Sequence, residues 1–412
     1  MRLKPRQIFV GRLLATFLLA SAGFILVVRF TRDSDRYWRQ DFSRYYADTR
    51  ALNNGSDIYL RSNTQISYPP AFYLAFSPLT WIDRRRAHTV WELAQVLSLL
   101  AAVALVLRES DVATGYGFAC LAFAFALIFP PFQTAIHYGQ PTPLLLLLLV
   151  GSWVMARHDA DRAAGALLAA AVLLKAFPWP MALYFAARRR WAVLAAAATF
   201  ALIIEICLLW RYGTTINLDF FLKSRVSEVW LERPRNLSLL SNVRALVFAF
   251  RPTPGLRVWA EYALVLLASL ALIYFAAEVT RAVPDAASTD GLCWSLWIIT
   301  TILLAPVAWD HYLVLFLPAY IFVACYVHDH RSAIARRGTR LGALLVLVGL
   351  LGFLVVPYFT AMKNLRLLFC FALASYAGLY LMLSAGQGVA ASATPALRGS
   401  AELMSARDLR PS

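Results

Sequence analysis

A polar stretch near the amino terminus, RQDFSRYYADTRALNNGSDIY (residues 39–59), carries the first side chains that could do chemistry. Asp41, Tyr45 and Asp48 recur at i, i+4 and i+7, a spacing that places them on one face of a helix. An Asn-Asn-Gly sequence then supplies a good carboxy-terminal stop for that helix. A carboxylate displayed in this way could accept a proton from a hydroxyl group. The same pattern also suits a solvated interfacial helix stabilised by Asp–Arg pairs.

A lysine, Lys175, stands in the middle of the apolar run GALLAAAVLLKAFPWPMALYFAARRR (residues 165–190). The chain has 39 lysines and arginines, of which only four are lysine, so lysine is a rare choice here. Pro178 and Pro180 cannot continue a helix, and the lysine therefore marks a break between two short helices. It could bind a phosphate group as a compact positive charge, or it could snorkel to the membrane interface.

Two further motifs lie at the ends of apolar runs. WDHY contains Asp310 and His311, and an ionisable pair at a membrane edge is a candidate functional site. HYGQ, which ends in Gln140, is a weaker candidate of the same kind. Either motif could instead be a loop with interfacial aromatic residues.

A basic stretch, RVSEVWLERPRNLSLLSNVRAL (residues 225–246), is the remaining candidate. Arginine makes bidentate contacts to phosphate, so we expect Arg235 and its neighbour Asn236 to bind substrate. The alternative is a solvated basic loop.

The amino-acid composition indicates which class of protein contains these residues. Hydrophobic residues make up 60% of the 412-residue chain, charged residues only 15%, and the mean hydropathy is +0.61. Soluble domains are about 25% charged, so we expect an all-α polytopic membrane protein. The net charge of +16 favours anionic lipids or phosphate-bearing substrates as partners, and no nucleic-acid-binding motif is present. The five cysteines lie singly in apolar runs and indicate neither a disulfide nor a zinc site.

We predict about twelve transmembrane helices, several of them short or broken. The predicted segments are 10–30, 90–107, 112–130, 142–156, 163–175, 177–187, 191–210, 257–278, 291–309, 311–327, 340–357 and 365–384. Together they form one transmembrane domain over residues 1–384, and a disordered cytoplasmic tail follows over residues 385–412.

Two long polar stretches, residues 31–86 and 211–257, separate these segments. If the amino terminus is cytoplasmic, both stretches lie outside, together with HYGQ, Lys175 and WDHY. The short basic loops then lie inside, as the positive-inside rule requires, although the arginine triplet at 84–86 lies outside and does not fit that rule. One alternating topology therefore places every candidate residue on the same face.

Several motifs, taken in order, resemble glycosyltransferase family 87. They are DFSRYYA at 41–47, YPP at 68–70, GQ at 139–140, LLKAFPWP at 173–180 followed by RRR, NLSL at 236–239, and APVAWDHY at 305–312. The resemblance covers about residues 10–330. It implies a polytopic fold of the GT-C type with juxtamembrane helices on the outer face. The FPWP sequence departs from the commoner family pattern and changes where the lipid tail of the donor is expected.

The resemblance also implies roles for individual residues. Asp41 matches the catalytic aspartate of the family, Lys175 matches a lysine at the lipid-phosphate site, and His311 matches a position at the rim of the cavity. The further predicted substrate-binding residues are Asp310, Asp48, Tyr45, Gln140, Arg235 and Asn236.

We therefore expect a membrane glycosyltransferase of the bacterial plasma membrane whose active site faces outside. It would move a hexose, with mannose as the expected sugar, from a polyprenyl-phosphate sugar to a hydroxyl of a glycolipid or cell-envelope glycan, with inversion. We expect no metal and no cofactor.

Two other functions remain open from the sequence. The first is a transporter or flippase of lipid-linked sugars, since broken helices and a buried cation also suit transporters. Charged residues distributed along the pore toward both faces of the membrane would favour a transporter. The second is a structural partner of a cell-wall synthase, which would need none of Asp41, Lys175 or His311.

Overall fold

The fold is helical throughout the part of the chain that can be described. A computed structural model describes residues 5–33, 41–60, 68–110, 115–223, 228–250, 253–329, 336–356 and 366–385. Its α-helices are α1 (Pro5–Asp33), α2 (Asp41–Asn53), α3 (Pro70–Phe76), α4 (Arg84–Glu109), α5 (Tyr116–Ile128), α6 (Pro130–Tyr138), α7 (Thr142–Arg157), α8 (Asp161–Leu174), α9 (Met181–Ala187), α10 (Trp191–Lys223), α11 (Glu228–Glu232), α12 (Leu239–Ala249), α13 (Pro254–Ala282), α14 (Ala287–Leu304), α15 (Leu317–Asp329), α16 (Arg337–Val355) and α17 (Leu367–Ala385). Two 3₁₀ helices, Ser77–Trp81 and Asp310–Phe316, follow α3 and precede α15. The predicted tail begins at residue 385, and its residues 386–412 lie outside the described part of the chain.

Seven of the described helices are long and apolar enough to cross a membrane. They are α1, α4, α10, α13, α16, α17 and α15 with its preceding 3₁₀ helix. The α5–α6 pair, bent by 47°, adds an eighth span if it is taken as one broken helix. The prediction of an all-α polytopic membrane protein is confirmed. Each of the twelve predicted segments contains a helix, but four of these helices, α7, α8, α9 and α14, are not among the seven or eight candidate spans. Helices α8 and α9, with 14 and 7 residues, are too short to cross alone.

Helix α10 shows where the bilayer lies. Trp191 and Trp210 are 62% and 89% exposed, and they stand about 29 Å apart at 1.5 Å per residue, close to the hydrocarbon thickness. Exposed tryptophans at both ends of a span are typical of the two membrane interfaces. Gly213, whose φ of 79° only glycine adopts easily, then breaks the helix just beyond Trp210. We call the membrane face next to Arg188–Arg190 the basic face and the opposite one, beside Arg211, the site face.

A buried ionic cluster fixes the helices at the basic face. Asp290 of α14 accepts hydrogen bonds from Trp153 Nε1 at 2.8 Å and from the Tyr184 hydroxyl at 2.8 Å. It also pairs with Arg188 Nη2 at 2.7 Å. A buried carboxylate is tolerated only when it is paired and hydrogen-bonded, so these contacts tie α7, α9 and α14 to one another. No local sequence pattern predicts this cluster, because Trp153 and Tyr184 lie 137 and 106 residues from Asp290 in the chain.

Helix α8 starts at the basic face and ends before it reaches the other side. Arg190 Nη2 donates to Asp161 Oδ1 at 2.7 Å, which places the start of α8 beside the arginine triplet. Gly165 lets α8 lie against α10, because a Cβ there would stand 2.5 Å from the Val193 carbonyl oxygen. Fourteen residues rise about 21 Å, so Lys175 lies about 8 Å short of the interface marked by Trp210.

On the site face, α2 and α3 lie over the ends of the spanning helices. Phe42 of α2 packs against Phe76 of α3, with ring centroids 5.6 Å apart, and Tyr46 donates from its hydroxyl to the Ile82 carbonyl at 2.8 Å. Gly55, with φ 81°, ends α2 as the Asn-Asn-Gly sequence predicts. The helix that carries Asp41 is therefore fixed on the protein by its aromatic face.

Candidate active site

A pocket of about 110 Å³ opens beneath α2 on the site face. It is lined by Asp41, Arg44, Tyr45, Tyr68, Gln140, Lys175, Trp230, Trp309, His311 and Tyr312. Five of the predicted site residues, which belong to four separate segments of the sequence, line this one pocket. The folding of the chain brings them together, since no two of these segments are adjacent.

Gln140 joins the polar side chains of the pocket. Its Nε2 donates to Asp41 Oδ2, while its Oε1 accepts from the Tyr68 hydroxyl at 2.7 Å and from Lys175 Nζ at 3.4 Å. The Tyr45 hydroxyl in turn donates to the Tyr68 hydroxyl at 3.0 Å. A single amide therefore fixes one oxygen of the carboxylate on one side and contacts the lysine on the other. In the described part of the chain no donor bonds the second carboxylate oxygen, Oδ1.

The glycine before Gln140 makes this placement possible. Gly139 ends α6 in the left-handed conformation, with φ 70°. A Cβ at this position would stand 2.8 Å from the Cβ of Phe42, so only glycine lets the turn approach α2 this closely. The Gly139 carbonyl accepts from Trp91 Nε1 at 2.7 Å, which anchors the turn to α4. Because α2 and α4 hold the Gly139 turn from two sides, the side chain of the next residue, Gln140, is directed toward Asp41.

Lys175 caps the end of α8 with an extended backbone, at φ −155°. Its side chain is 8% exposed, and Nζ lies 4.0 Å from the ring centroid of Tyr312 and 5.2 Å from that of Tyr68. Aromatic faces attract a cation and partly replace its hydration. No carboxylate pairs directly with Nζ among the described residues, so the pocket offers a buried amine within reach of an incoming anion.

His311 also lines the pocket, and Asp310 directly precedes it in the chain. His311 is 5% exposed, and within the described residues its Nε2 has no hydrogen-bond partner. Asp310 accepts from the His311 backbone N–H at 3.0 Å and forms an ion pair with Arg235. Neither Asp310 nor Arg235 lines the pocket; their pair fixes the turn that presents the histidine.

The other two predicted residues, Asn236 and Asp48, also stand outside the pocket. Asn236 Oδ1 accepts from the backbone N–H groups of Ser238 and Ala308, both at 3.0 Å, and this ties the polar stretch 211–257 to the segment before Trp309. Asp48 pairs with Arg44 at 3.2 Å, one helical turn away. The structure thus places both as supports for pocket residues, and their predicted contact with substrate stays a prediction.

The environment of Asp41 changes its acidity. Burial raises the pKa of the carboxyl group, while the hydrogen bond from Gln140 and the charge of Lys175 act in the opposite direction. Burial also keeps the pKa of the Tyr45 hydroxyl well above its ordinary value, so this hydroxyl stays a hydrogen-bond donor. A carboxylate whose proton affinity exceeds that of an exposed aspartate suits general-base catalysis.

Five lining residues were not predicted from the sequence, and the only available signal was their place in the motifs. They are Arg44, Tyr68, Trp230, Trp309 and Tyr312. The Trp230 and Trp309 rings stand 5.3 Å apart at 78° and form an aromatic wall.

In the described ranges, no group of three or more His, Cys, Asp or Glu side chains could hold a metal ion.

Comparisons with known proteins point to one family. Residues 66–306 match the model of glycosyltransferase family 87. A polyprenol-phosphate-mannose-dependent alpha-(1-2)-phosphatidylinositol mannoside mannosyltransferase from Mycolicibacterium smegmatis is 24% identical, over 72% of each chain. Among solved structures, ArnT from Cupriavidus metallidurans bound to undecaprenyl phosphate matches with a TM-score of 0.43 and 17% identity, over 91% of this chain and 77% of that one.

Replacing Gly139 by alanine tests how strictly the pocket depends on this turn. We expect Gly139→Ala to cost about 1–3 kcal/mol through its positive φ and also to move Gln140 away from Asp41. Activity should fall at least about tenfold in protein that remains folded, as measured by product formation beside a thermal melt.

Gly55→Ala is the matched control. Gly55 also has a positive φ, of 81°, but open space surrounds its Cβ position. The control should lose stability and keep its activity. Equal activity losses in the two variants would show that the turn at Gly139 has no specific role in the site.

Proposed function

Because this chain belongs to glycosyltransferase family 87, we propose that it transfers mannose from polyprenyl-phosphate mannose to a hydroxyl of a glycolipid or cell-envelope glycan. The protein is a multi-pass membrane glycosyltransferase that uses a lipid-linked sugar. Its sugar, its acceptor and the face on which it works belong to the proposal. The single observation that carries the residue roles is the pocket in which Gln140 stands between a buried carboxylate and a buried lysine.

The depth of the pocket supports a lipid-phosphate donor. The phosphate of a membrane lipid lies near the interface, and Lys175 lies about 8 Å below the plane of Trp210. A polyprenyl chain in the bilayer core could therefore lead its phosphate to Lys175 without leaving the membrane. The mannosyltransferase from Mycolicibacterium smegmatis bears a name that includes the same class of donor.

The reaction divides into bond changes that the pocket residues can assist. The bond between the anomeric carbon and the phosphate oxygen breaks, and its electrons stay on the phosphate, which Lys175 stabilises. The acceptor oxygen forms a new bond to the anomeric carbon from the opposite side, which inverts its configuration. The acceptor proton passes to Asp41 Oδ1. A lipid phosphate is already stable as an anion, so no strong general acid is needed.

Gln140 and the aromatic wall complete the arrangement. By holding Oδ2, Gln140 leaves Oδ1 to face the acceptor hydroxyl. We assign the Trp230–Trp309 wall to the apolar faces of a sugar ring, since these two indoles line the pocket together. His311 Nε2, buried without a partner in the described structure, is assigned to a sugar hydroxyl or a phosphate oxygen.

The distribution of charge supports an outward-facing pocket in the bacterial inner membrane. Arg188–Arg190 directly precede the start of α10 at the basic face, and short basic loops favour the cytoplasmic side. The pocket lies at the other face. The transporter alternative is less well supported, because Asp290, a buried charge toward the basic face, is paired with neighbouring side chains.

Asp41→Asn tests the base directly. The amide keeps the shape of the side chain but cannot accept the acceptor's proton, so transfer should fall by about 10²–10⁴ while donor binding is retained. Asp48→Asn is the comparison, since Asp48 stands outside the pocket and should lose less than about tenfold. Steady-state rates and donor binding in detergent measure both. Normal turnover in Asp41→Asn would remove this residue from the mechanism.

The pH dependence of transfer should report the same carboxyl group. The deprotonated form is the base, so the rate should fall as the pH drops through a pKa that burial holds above the ordinary aspartate value. The hydrogen bond from Gln140 lowers this pKa, and Gln140→Leu should therefore move the acid limb to higher pH. If the acid limb of the pH profile does not move in Gln140→Leu, a group other than Asp41 controls that limb.

Lys175→Met tests the phosphate contact. The variant should insert normally, because it removes a charge from membrane depth, and it should bind donor more weakly by about 1.5–3 kcal/mol. Lys175→Arg should restore only part of this loss, since the wider guanidinium must fit beside Tyr312. Equilibrium measurements of donor affinity in the wild type and in both variants test this prediction. Wild-type affinity in Lys175→Met would make the lysine a snorkelling anchor.

Accessibility of single cysteines tests the orientation. Ala47 is exposed on α2 at the site face, and Ala286 is exposed beside Val283, whose carbonyl accepts from Arg188 at the basic face. In a background without native cysteines, Ala47→Cys should react with an impermeant maleimide in intact cells. Ala286→Cys should react only after permeabilisation. The reverse pattern would place the pocket in the cytoplasm.

A further inference from the structure

A second, larger groove opens on the site face at the far end of α2. Its volume is about 520 Å³, and its walls come from the last turn of α2, the 3₁₀ helix Ser77–Trp81 and the kinked helix α10. Arg50, Asn53 and Arg211 contribute polar side chains, and Trp81 closes one edge. None of these residues lines the candidate active site.

The groove carries positive charge, and no acidic side chain is among the described residues that line it. Arg50 and Arg211 are both exposed, and neither pairs with an acidic side chain in the described ranges. Arg50 lies in the last turn of α2, where a cation offsets the negative end of the helix. Arg211 has no such role: it donates to Asn53 Oδ1 at 3.3 Å and stacks over Tyr212 at 5.1 Å. Its guanidinium is thereby held at the last turn of α2, where Arg50 also lies.

Two exposed tryptophans place the groove at the level of the lipid head groups. Trp81 is 80% exposed and Trp210, beside Arg211, is 89% exposed. Exposed indoles concentrate at the membrane interface, where lipid phosphates also lie. Because Trp81 lines the groove and Trp210 precedes the lining residue Arg211, the groove lies at the level expected for lipid phosphates. An anion that reaches it comes most directly from a membrane lipid.

We propose that this groove binds the phosphate of an anionic glycolipid acceptor, with Arg50 and Arg211 as its two cationic contacts. Arginine suits a phosphodiester because its planar group donates two parallel hydrogen bonds. The Asn53 and Ser77 side chains, already joined at 2.9 Å, offer further polar contacts to a head group. This inference rests on the proposed function for the identity of the ligand as an acceptor.

The distance to the pocket sets the size of the acceptor. Asp41 and Asn53 lie at opposite ends of α2, about 18 Å apart at 1.5 Å per residue. A phosphate held in the groove and a hydroxyl held at Asp41 must therefore be joined by a head group of several sugar units. A monosaccharide attached directly to the phosphate would be too short to use both sites.

Equilibrium binding without any donor tests the proposal. The full-length protein in neutral phosphatidylcholine nanodiscs is offered two probes: an oligomannoside on phosphatidylinositol, and the same oligomannoside on neutral diacylglycerol. Wild type should bind the phosphate-bearing probe at least about tenfold more tightly, and this preference should weaken as salt is added. Since no donor is present, a failed preference is distinguishable from a failed transfer reaction.

The double variant Arg50→Met/Arg211→Met should bind both probes equally. Arg85→Met, which removes an exposed arginine of α4 from the same face, is the matched control and should keep the preference. Unchanged binding of the neutral probe shows that the double variant is folded. The salt titration of the wild type needs no variant and tests the proposal by itself if the double variant does not fold.

Three results would overturn the proposal. The first is wild-type binding that ignores the phosphate or does not respond to salt. The second is a preference that survives in the double variant. The third is displacement of the phosphate-bearing probe by inorganic phosphate at equal concentration, which would identify a site for free anions instead of a lipid head group.

Discussion

One amide side chain holds the candidate site together. Gln140 donates to Asp41 and accepts from Tyr68 and Lys175, so it stands between a carboxylate and an amine that form no direct ion pair among the described residues. A direct pair would neutralise both groups and leave neither for a substrate. The glycine turn, the aromatic packing of α2 and the break after α8 all serve to bring these side chains to the same amide.

The membrane imposes the second constraint. A charged or polar group at depth is tolerated only where it lines protein or a cavity, and the short helix α8 creates such a place by ending before the interface. We therefore propose that Lys175 meets the lipid phosphate at this depth, while α2 carries Asp41 into the same pocket. The paired Asp290 cluster ties α7, α9 and α14 together at the opposite face. These features fit a site that is entered from one face.

The sequence predicted what local patterns encode. Helix α2 and its acidic face follow from spacing and an Asn-Asn-Gly stop, and the break at Lys175 follows from two prolines. Asp290 could not be predicted, because its partners Trp153 and Tyr184 stand 137 and 106 residues away and share no motif with it. Arg235 and Asn236 illustrate the opposite case: their motifs were recognised, but side-chain contacts place both outside the pocket.

Transfer by the purified protein is the measurement that tests the central claim most directly. The wild-type protein in detergent or nanodiscs is incubated with polyprenyl-phosphate mannose labelled in the sugar and with an extract of membrane glycolipids. We predict that label appears in a glycolipid with inverted anomeric configuration, together with free polyprenyl phosphate. Label that stays on the polyprenyl phosphate, or that only crosses the bilayer on its original carrier, would contradict the assignment of this pocket to glycosyl transfer.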